Sequence, residues 1–381
     1  MKIFSLQENL KQGLFIVGHI AGKNVNLPIL NNIMIKVSEG NIKMLATNLE
    51  IGIITTVRGK VEEEGSFTAD SKIISECVNL LPNKKVGIEL KDNNLLIDSD
   101  NYQVKIKGQS AEDFPLIPEV NKENYYSAQI EEFKKAVSQV VFAVSLSESK
   151  PELSGVAFSF NNNTLVLAAT DSYRLAEKKI KIKNNNNKEN NNEERKIIVP
   201  TKTLQELSRI LSGVQTDLVD EADKEIKFYI SDNQILFTYG LTELISRLIE
   251  GQYPDYQQII PVMSKTQAII NRAELIRATK LASLFSKTDI NDINLDFPKE
   301  KNQLVISAVS GQTGENVTNL EAKVSGEDNG IVVNCRYLLD GLSNIEGEMV
   351  KLEIVDNNTP CVVRAEKNAD DYLYIIMPIK Q

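Results

Sequence analysis

"YYSAQIEEFKKAVSQVVFAVS", residues 125–145, is the stretch on which the fold reading turns, because its plan occurs three times in the chain. A short alternating strand runs into a helix whose apolar residues Phe133, Val137, Val140 and Val141 recur at helical spacing. "MKIFSLQENLKQGLFIVGHIAG" from Met1 and "TQAIINRAELIRATKLASLFS" from Thr266 follow the same plan. Outward from each helix comes a β-hairpin: "NIKMLATNLEIGI" (41–53), "NTLVLAATDSYRLA" (163–176) and "NQLVISAVSGQTGE" (302–315). A second strand–helix unit comes next, in "GSFTADSKIISECVNLLP", "RKIIVPTKTLQELSRILSG" and "NGIVVNCRYLLDGLSNIEG". Each repeat closes on a similar tail: "DFPLIP", "YPDYQQIIP" and "YLYIIMPIK". Repeats this long, roughly 120–140 residues, are domains and not solenoid turns. The expected fold is α+β: three repeated domains, each with two helices backed by antiparallel sheet, at residues 1–121, 122–257 and 258–381. One segment breaks the pattern. "KIKNNNNKENNNEERK" (181–196) carries seven asparagines and almost no apolar residues, so a disordered loop is expected near 183–195.

Composition narrows the function classes. A chain of 381 residues is long enough for several cores. It has no apolar run of membrane-spanning length, and its first residues lack a secretory pattern, so the expectation is a cytoplasmic protein. Cys77, Cys335 and Cys361 are scattered and odd in number, which fits reduced thiols and neither a disulfide frame nor a zinc site. No metal or cofactor is implied.

Net charge is −9, from 43 basic and 52 acidic residues, which is the wrong sign for bulk attraction to nucleic acid. The charge is not spread evenly. The six expected helices hold ten basic residues, Lys11, Lys72, Lys134, Lys135, Lys202, Arg209, Arg272, Arg277, Lys280 and Arg336, against seven acidic ones. They form a mildly basic surface in an acidic protein. Such a surface attracts phosphates without reading bases and is too weak for tight binding by charge alone.

Within the middle hairpin, "ATDSYRLA" (169–176) crowds an acid, a hydroxyl, a ring and an arginine together. Catalysis by Asp171 and Ser172 would need a base. The only histidine, His19, lies in an expected amphipathic helix, where a helix-end or packed role suffices. "SESK" (147–150) matches Ser-x-x-Lys, but the chain has no Lys-Thr-Gly partner. Phosphate-cradling glycine loops are also absent.

"ATDSYRLA" resembles the Ala-Thr-Asp-Gly-His-Arg-Leu-Ala signature of the bacterial sliding clamps, the β subunits of DNA polymerase III. "LPIL" (27–30), "ATNLEIGI" (46–53), "EDFPLIP", "YPDYQQIIP" and the ending "YIIMPIKQ" match that family in order over the whole chain. The resemblance implies a head-to-tail homodimer whose six domains close into a ring around duplex DNA, a processivity factor in DNA replication and not an enzyme. A closed ring holds DNA topologically, which would reconcile a weak basic lining with an acidic remainder. It also implies a cleft for short peptides of the replicative polymerase, clamp loader, translesion and repair proteins. The matching positions are Leu153, Thr170, Ser172, Tyr173, Arg174, Leu175, Pro254, Gln258, Ile259, Pro360, Ile375, Ile376, Met377, Pro378 and Ile379. On this reading Thr170, Leu175 and the stem of Arg174 offer apolar surface, the guanidinium serves the peptide backbone, and Asp171 caps the turn and holds Arg174. Lys23 and Lys150 match DNA-facing loop positions, and Val104, Ile106, Leu284 and Phe285 match the dimer seam. Ser172, Tyr173, Gln258 and Gln381 depart from the family pattern. A clamp homologue devoted to repair or inhibitor resistance, and an enzyme using Asp171 and Ser172, remain the alternatives.

Overall fold

The computed structural model describes every residue except 23–24, 148, 186–194, 214–223, 368–370 and 381. The asparagine run therefore falls largely outside the described residues. Its two flanks are strands: 183–184 pairs with 126–127, and a strand begins at Arg195. The described residues contain six α-helices: α1 (Gln7–Gly18), α2 (Ser71–Leu80), α3 (Ile130–Val141), α4 (Thr201–Ser212), α5 (Arg272–Ser283) and α6 (Cys335–Asn344). None is long and apolar enough to cross a membrane.

Compact units do not follow repeat borders. The first holds Met1–Ile130, Lys183–Asn191 and Lys202–Leu248; the second holds the rest. Each has one continuous antiparallel-paired sheet, of fourteen and twelve strands. The middle repeat is divided between them. Its strand 242–247 pairs with 51–57 of the first repeat, and its strand 174–181 pairs with 372–376 of the last.

In the first unit, α1 packs on strands 41–47 and 51–57 through Leu10, Leu14 and Val17. The helix comes so close that a Cβ on Gly13 would lie 2.6 Å from Val57, so only glycine fits there. Asp70 accepts the Ile73 N–H at 2.9 Å and caps α2. Helix α4 is fastened to α1 by Arg209. Its guanidinium donates to the Phe15 and Ile16 carbonyls, each at 2.9 Å, pairs with buried Glu206 at 2.6 Å, and lies over the Phe15 ring. Glu206 also meets His19 Nδ1 at 2.6 Å, so the lone histidine is a helix-end partner of α4. Strand 102–109 pairs with 94–99, but with 65–70 only at Gly108 and Gln109. Residues 102–107 thus keep one free backbone edge among the described residues.

In the second unit, Asn271 and Asn334 cap α5 and α6 through paired N–H bonds, the same strand–Asx–helix device as Asp70. Helix α6 lies against the buried Tyr374 ring at Gly341, where a Cβ would meet the ring at 2.2 Å. The Tyr374 hydroxyl donates to the Tyr337 carbonyl at 2.8 Å.

Arg209→Ala leaves Glu206 buried without its guanidinium and removes the two donors that tie α4 to the end of α1. Breaking such a pair costs about 3 kcal/mol. Calorimetry should therefore show the first unfolding transition several degrees lower, while an exposed control such as Lys202→Ala leaves it unmoved.

Candidate peptide cleft and basic helices

Residues 170–174 form a tight turn that joins two paired strands. Asp171 Oδ1 accepts the N–H groups of Tyr173 and Arg174 at 2.9 and 3.0 Å. Thr170 Oγ1 donates to the Arg174 carbonyl at 2.6 Å and accepts the Ser172 N–H at 3.1 Å. Ser172 is left-handed, with φ 79°. The hairpin of the first repeat is built the same way. Asn48 Oδ1 accepts from Glu50 and Ile51, Thr47 Oγ1 donates to the Ile51 carbonyl, and Leu49 has φ 76°. A neutral asparagine makes the same turn, so the turn needs an acceptor and not an acid.

What the carboxylate adds is a hold on Arg174. Asp171 Oδ2 accepts from Arg174 Nε at 2.9 Å, Asp340 from Nη1 at 2.5 Å, and the Phe142 carbonyl from Nη2 at 2.9 Å. The guanidinium also lies over the Tyr337 and Phe142 rings. Arg174 thus ties its turn to α6 and to the end of α3 through three of its five N–H donors. Tyr253 is a further support that the sequence did not single out. Its hydroxyl accepts the Thr170 N–H at 3.0 Å, and burial pushes its own ionisation up.

The fifteen candidate cleft residues all lie in the second unit. They separate into a floor and a rim. Leu153, Thr170, Leu175, Ile375 and Ile376 are buried, so Leu175 and Thr170 are packed beneath the surface rather than offered on it. Leu175 and Ile375 join Val362 and Leu373 in one core cluster, closed over by Tyr256 and Ile260. Tyr256 reaches on to buried Glu177, to which its hydroxyl donates at 2.6 Å. Ser172, Pro254, Gln258 and Ile259 are exposed, and Tyr173 is 63% exposed. Arg174, Pro360, Met377, Pro378 and Ile379 are half-buried. The tail is pinned, with Met377 N–H donating to the Tyr173 carbonyl and Ile379 N–H to the Val332 carbonyl, both at 2.8 Å. Gln258 turns its amide to Asp255 at 2.8 Å. Gln381 lies outside the described residues.

The basic set is thinner than its count. Arg209 is consumed at the α1–α4 contact, and Arg272 donates to the Leu342 and Gly347 carbonyls. Lys72, Lys134 and Lys135 pair with Glu76, Glu131 and Glu346. Lys11, Lys150, Lys202, Arg277, Lys280 and Arg336 make no ion pair among the described residues, and Lys23 lies outside them. At the candidate seam Leu284 is 66% exposed and Val104 and Phe285 are half-buried, whereas Ile106 is 4% exposed and points into its own core.

Three repeats of two helices on antiparallel sheet define a clamp-type protein. The chain belongs to the DNA polymerase III beta subunit family. Its N-terminal, central and C-terminal domain models match residues 1–118, 128–255 and 257–380. The beta sliding clamp of Staphylococcus epidermidis is 30% identical over 365 residues, covering 93% of this chain and 92% of that one. The Bacillus subtilis beta sliding clamp is 28% identical over the whole of both chains. Among solved structures, the B. subtilis DNA polymerase sliding clamp superposes with TM-score 0.90 at 27% identity, covering 100% of this chain and 99% of that one. A putative DNA polymerase III beta subunit from Eubacterium rectale does so with TM-score 0.89 at 29% identity and the same coverage.

Asp171→Asn should keep the turn and lose only the Arg174 pairing, whereas Asp171→Ala loses both. Thermal melts should rank the proteins wild type, Asn, Ala, with Ala down by about 3 kcal/mol. Equal melting of Ala and wild type would show that the turn does not depend on this side chain.

Proposed function

We propose that this chain is a DNA sliding clamp that works as a homodimeric ring around duplex DNA. It would give processivity to the replicative polymerase and recruit partners by short peptides. The observation that supports this most is the threefold repeat, matched along its full length by the three domain models of one family. The role is non-catalytic. Asp171 is bound to its own turn and to Arg174, which accounts for that carboxylate without a catalytic role.

We place the domain borders at 1–121, 122–257 and 258–381. Six DNA-facing candidates with neither an ion pair nor a carbonyl partner among the described residues are few for a protein held on DNA by charge, and a net charge of −9 opposes it. Encirclement removes the need for tight phosphate binding and leaves the ring free to slide. The free edge of 102–107 and the exposed Leu284 favour a seam between two copies, with Val104 and Phe285 beside them. In the cleft, Tyr173, Ile259, Met377, Pro378 and Ile379 supply the accessible apolar surface over a rigid floor. Burying about 200 Å² there at about 25 cal/mol per Å² would carry much of a peptide's affinity. Methionine suits a site shared by several partners.

Deletion of 377–381 should abolish binding of a fluorescent Gln-Leu-rich peptide. Light scattering of the same variant should still give twice 42.6 kDa, because the seam lies elsewhere. A wild-type monomer at micromolar concentration would overturn the ring. Unchanged peptide binding would overturn the cleft.

A further inference from the structure

Residues 250–259 form one lip of the candidate cleft and are fastened over its floor. The Tyr253 hydroxyl accepts the Thr170 N–H at 3.0 Å, and the Tyr256 hydroxyl donates to Glu177 at 2.6 Å. Just beyond them, Ile260 packs on the core cluster of Leu175 and Ile375. The polar side chains of this lip are one-sided in charge. Between 250 and 259 stand two acids, Glu250 and Asp255, three glutamines and no base. Glu152 joins them from a neighbouring turn, since a Cβ on Gly251 would lie 3.6 Å from the Glu152 Cβ. Glu250 and Asp255 are exposed, Glu152 is half-buried, and none of these acids makes an ion pair among the described residues.

The one side chain that answers Asp255 is neutral. Gln258 Nε2 donates to Asp255 Oδ2 at 2.8 Å, which orients the carboxylate without cancelling its charge and leaves Oδ1 without a partner among the described residues. Around the turn, Arg174 is shared between Asp171 and Asp340, so that cluster too has one carboxylate in excess. Asp340 and Glu206 hold equivalent places on α6 and α4, but Glu206 is 5% exposed beneath its arginine, whereas Asp340 is 49% exposed. The neighbouring cations are exposed Lys150, before the turn that carries Glu152, and exposed Lys380, after the tail. They offset half of the excess carboxylate charge, and neither lies on the 250–259 lip. A ligand seated on the apolar rim therefore meets an uncompensated carboxylate lip.

We propose that the cleft selects short peptides that carry a lysine or arginine beside their apolar anchor, and that Asp255, oriented by Gln258, is the residue that selects them. This rests on the cleft reading and adds the chemistry of its ligand. An ammonium or guanidinium brings donors to Asp255 Oδ1 and a charge that suits Glu250 and Glu152, whereas an acidic side chain at the same place meets acceptors and like charge. The contact lies at an exposed rim, so each pair contributes little and salt screens it. Apolar burial supplies the affinity, and the lip supplies the choice among peptides.

Fluorescence anisotropy of the full-length protein with three versions of the Gln-Leu-rich peptide, carrying Lys, Ala or Glu at the residues flanking the apolar anchor, tests this. In low salt the Lys peptide should bind about fivefold tighter than the Ala peptide, and the Glu peptide about fivefold weaker. The spread should close in about 0.5 M salt, where the screening length is only a few Å. Asp255→Asn should bring the three affinities together without weakening the Ala peptide. Gln258→Arg, which sets a cation beside Asp255, should shift the preference toward the Glu peptide. Deletion of 377–381 separates this proposal from the reading beneath it. If no peptide binds wild type, or all bind the deletion variant as they bind wild type, the cleft reading fails and the proposal with it. If the peptides need the tail but bind wild type equally, or Glu binds best, the cleft stands and the proposal is overturned. A lysine preference that survives Asp255→Asn overturns the role of Asp255.

Discussion

Backbone pairing between strands 174–181 and 372–376 is the constraint on which the candidate cleft depends. It joins the middle repeat to the last, so the turn at 170–174 and the tail at 377–379 are set side by side by strand register rather than by side-chain affinity. Everything nearby reinforces that register. The tail amides bond to Tyr173 and Val332, Leu175 and Ile375 share one core, and Arg174 ties the turn to α3 and α6. A surface made this way has a packed floor beneath exposed and half-buried side chains.

Much of this was legible in the sequence, for a physical reason. The three helices after short strands repeat their apolar spacing, and the strand–Asx–helix caps at Asp70, Asn271 and Asn334 mark helix starts locally. The repeat count and the helix positions need nothing beyond such local signals. Which residues lie under the cleft and which form its lip was not legible. Leu175, Ile375 and Ile376 read as binding residues, yet they are buried, because burial depends on partners 200 residues away. The fate of Arg174 was hidden likewise. Asp340 and Tyr337 reach it from α6 and the Phe142 carbonyl from just beyond α3, and only the Glu206–Asp340 correspondence between repeats hints at this second acid.

Charge tells a similar story. Counting basic residues on helices treated Arg209 as a surface cation, but it is committed to closing α1 against α4 and neutralises a buried carboxylate. Arginine is suited to this work, since its planar fork satisfies two helix carbonyls and a carboxylate together. Where the equivalent position is Ser343, a polar cavity replaces the closure. The repeats therefore share a backbone plan and differ in how each junction is completed.

The central claim is topological, and so is its most direct test. The protein, loaded on nicked circular DNA, is washed at a salt concentration that strips ordinary phosphate binders, and then the DNA is cut once. Retention before the cut and release after it is the result the account predicts. Equal retention on circular and linear DNA, or loss from both at high salt, would contradict it.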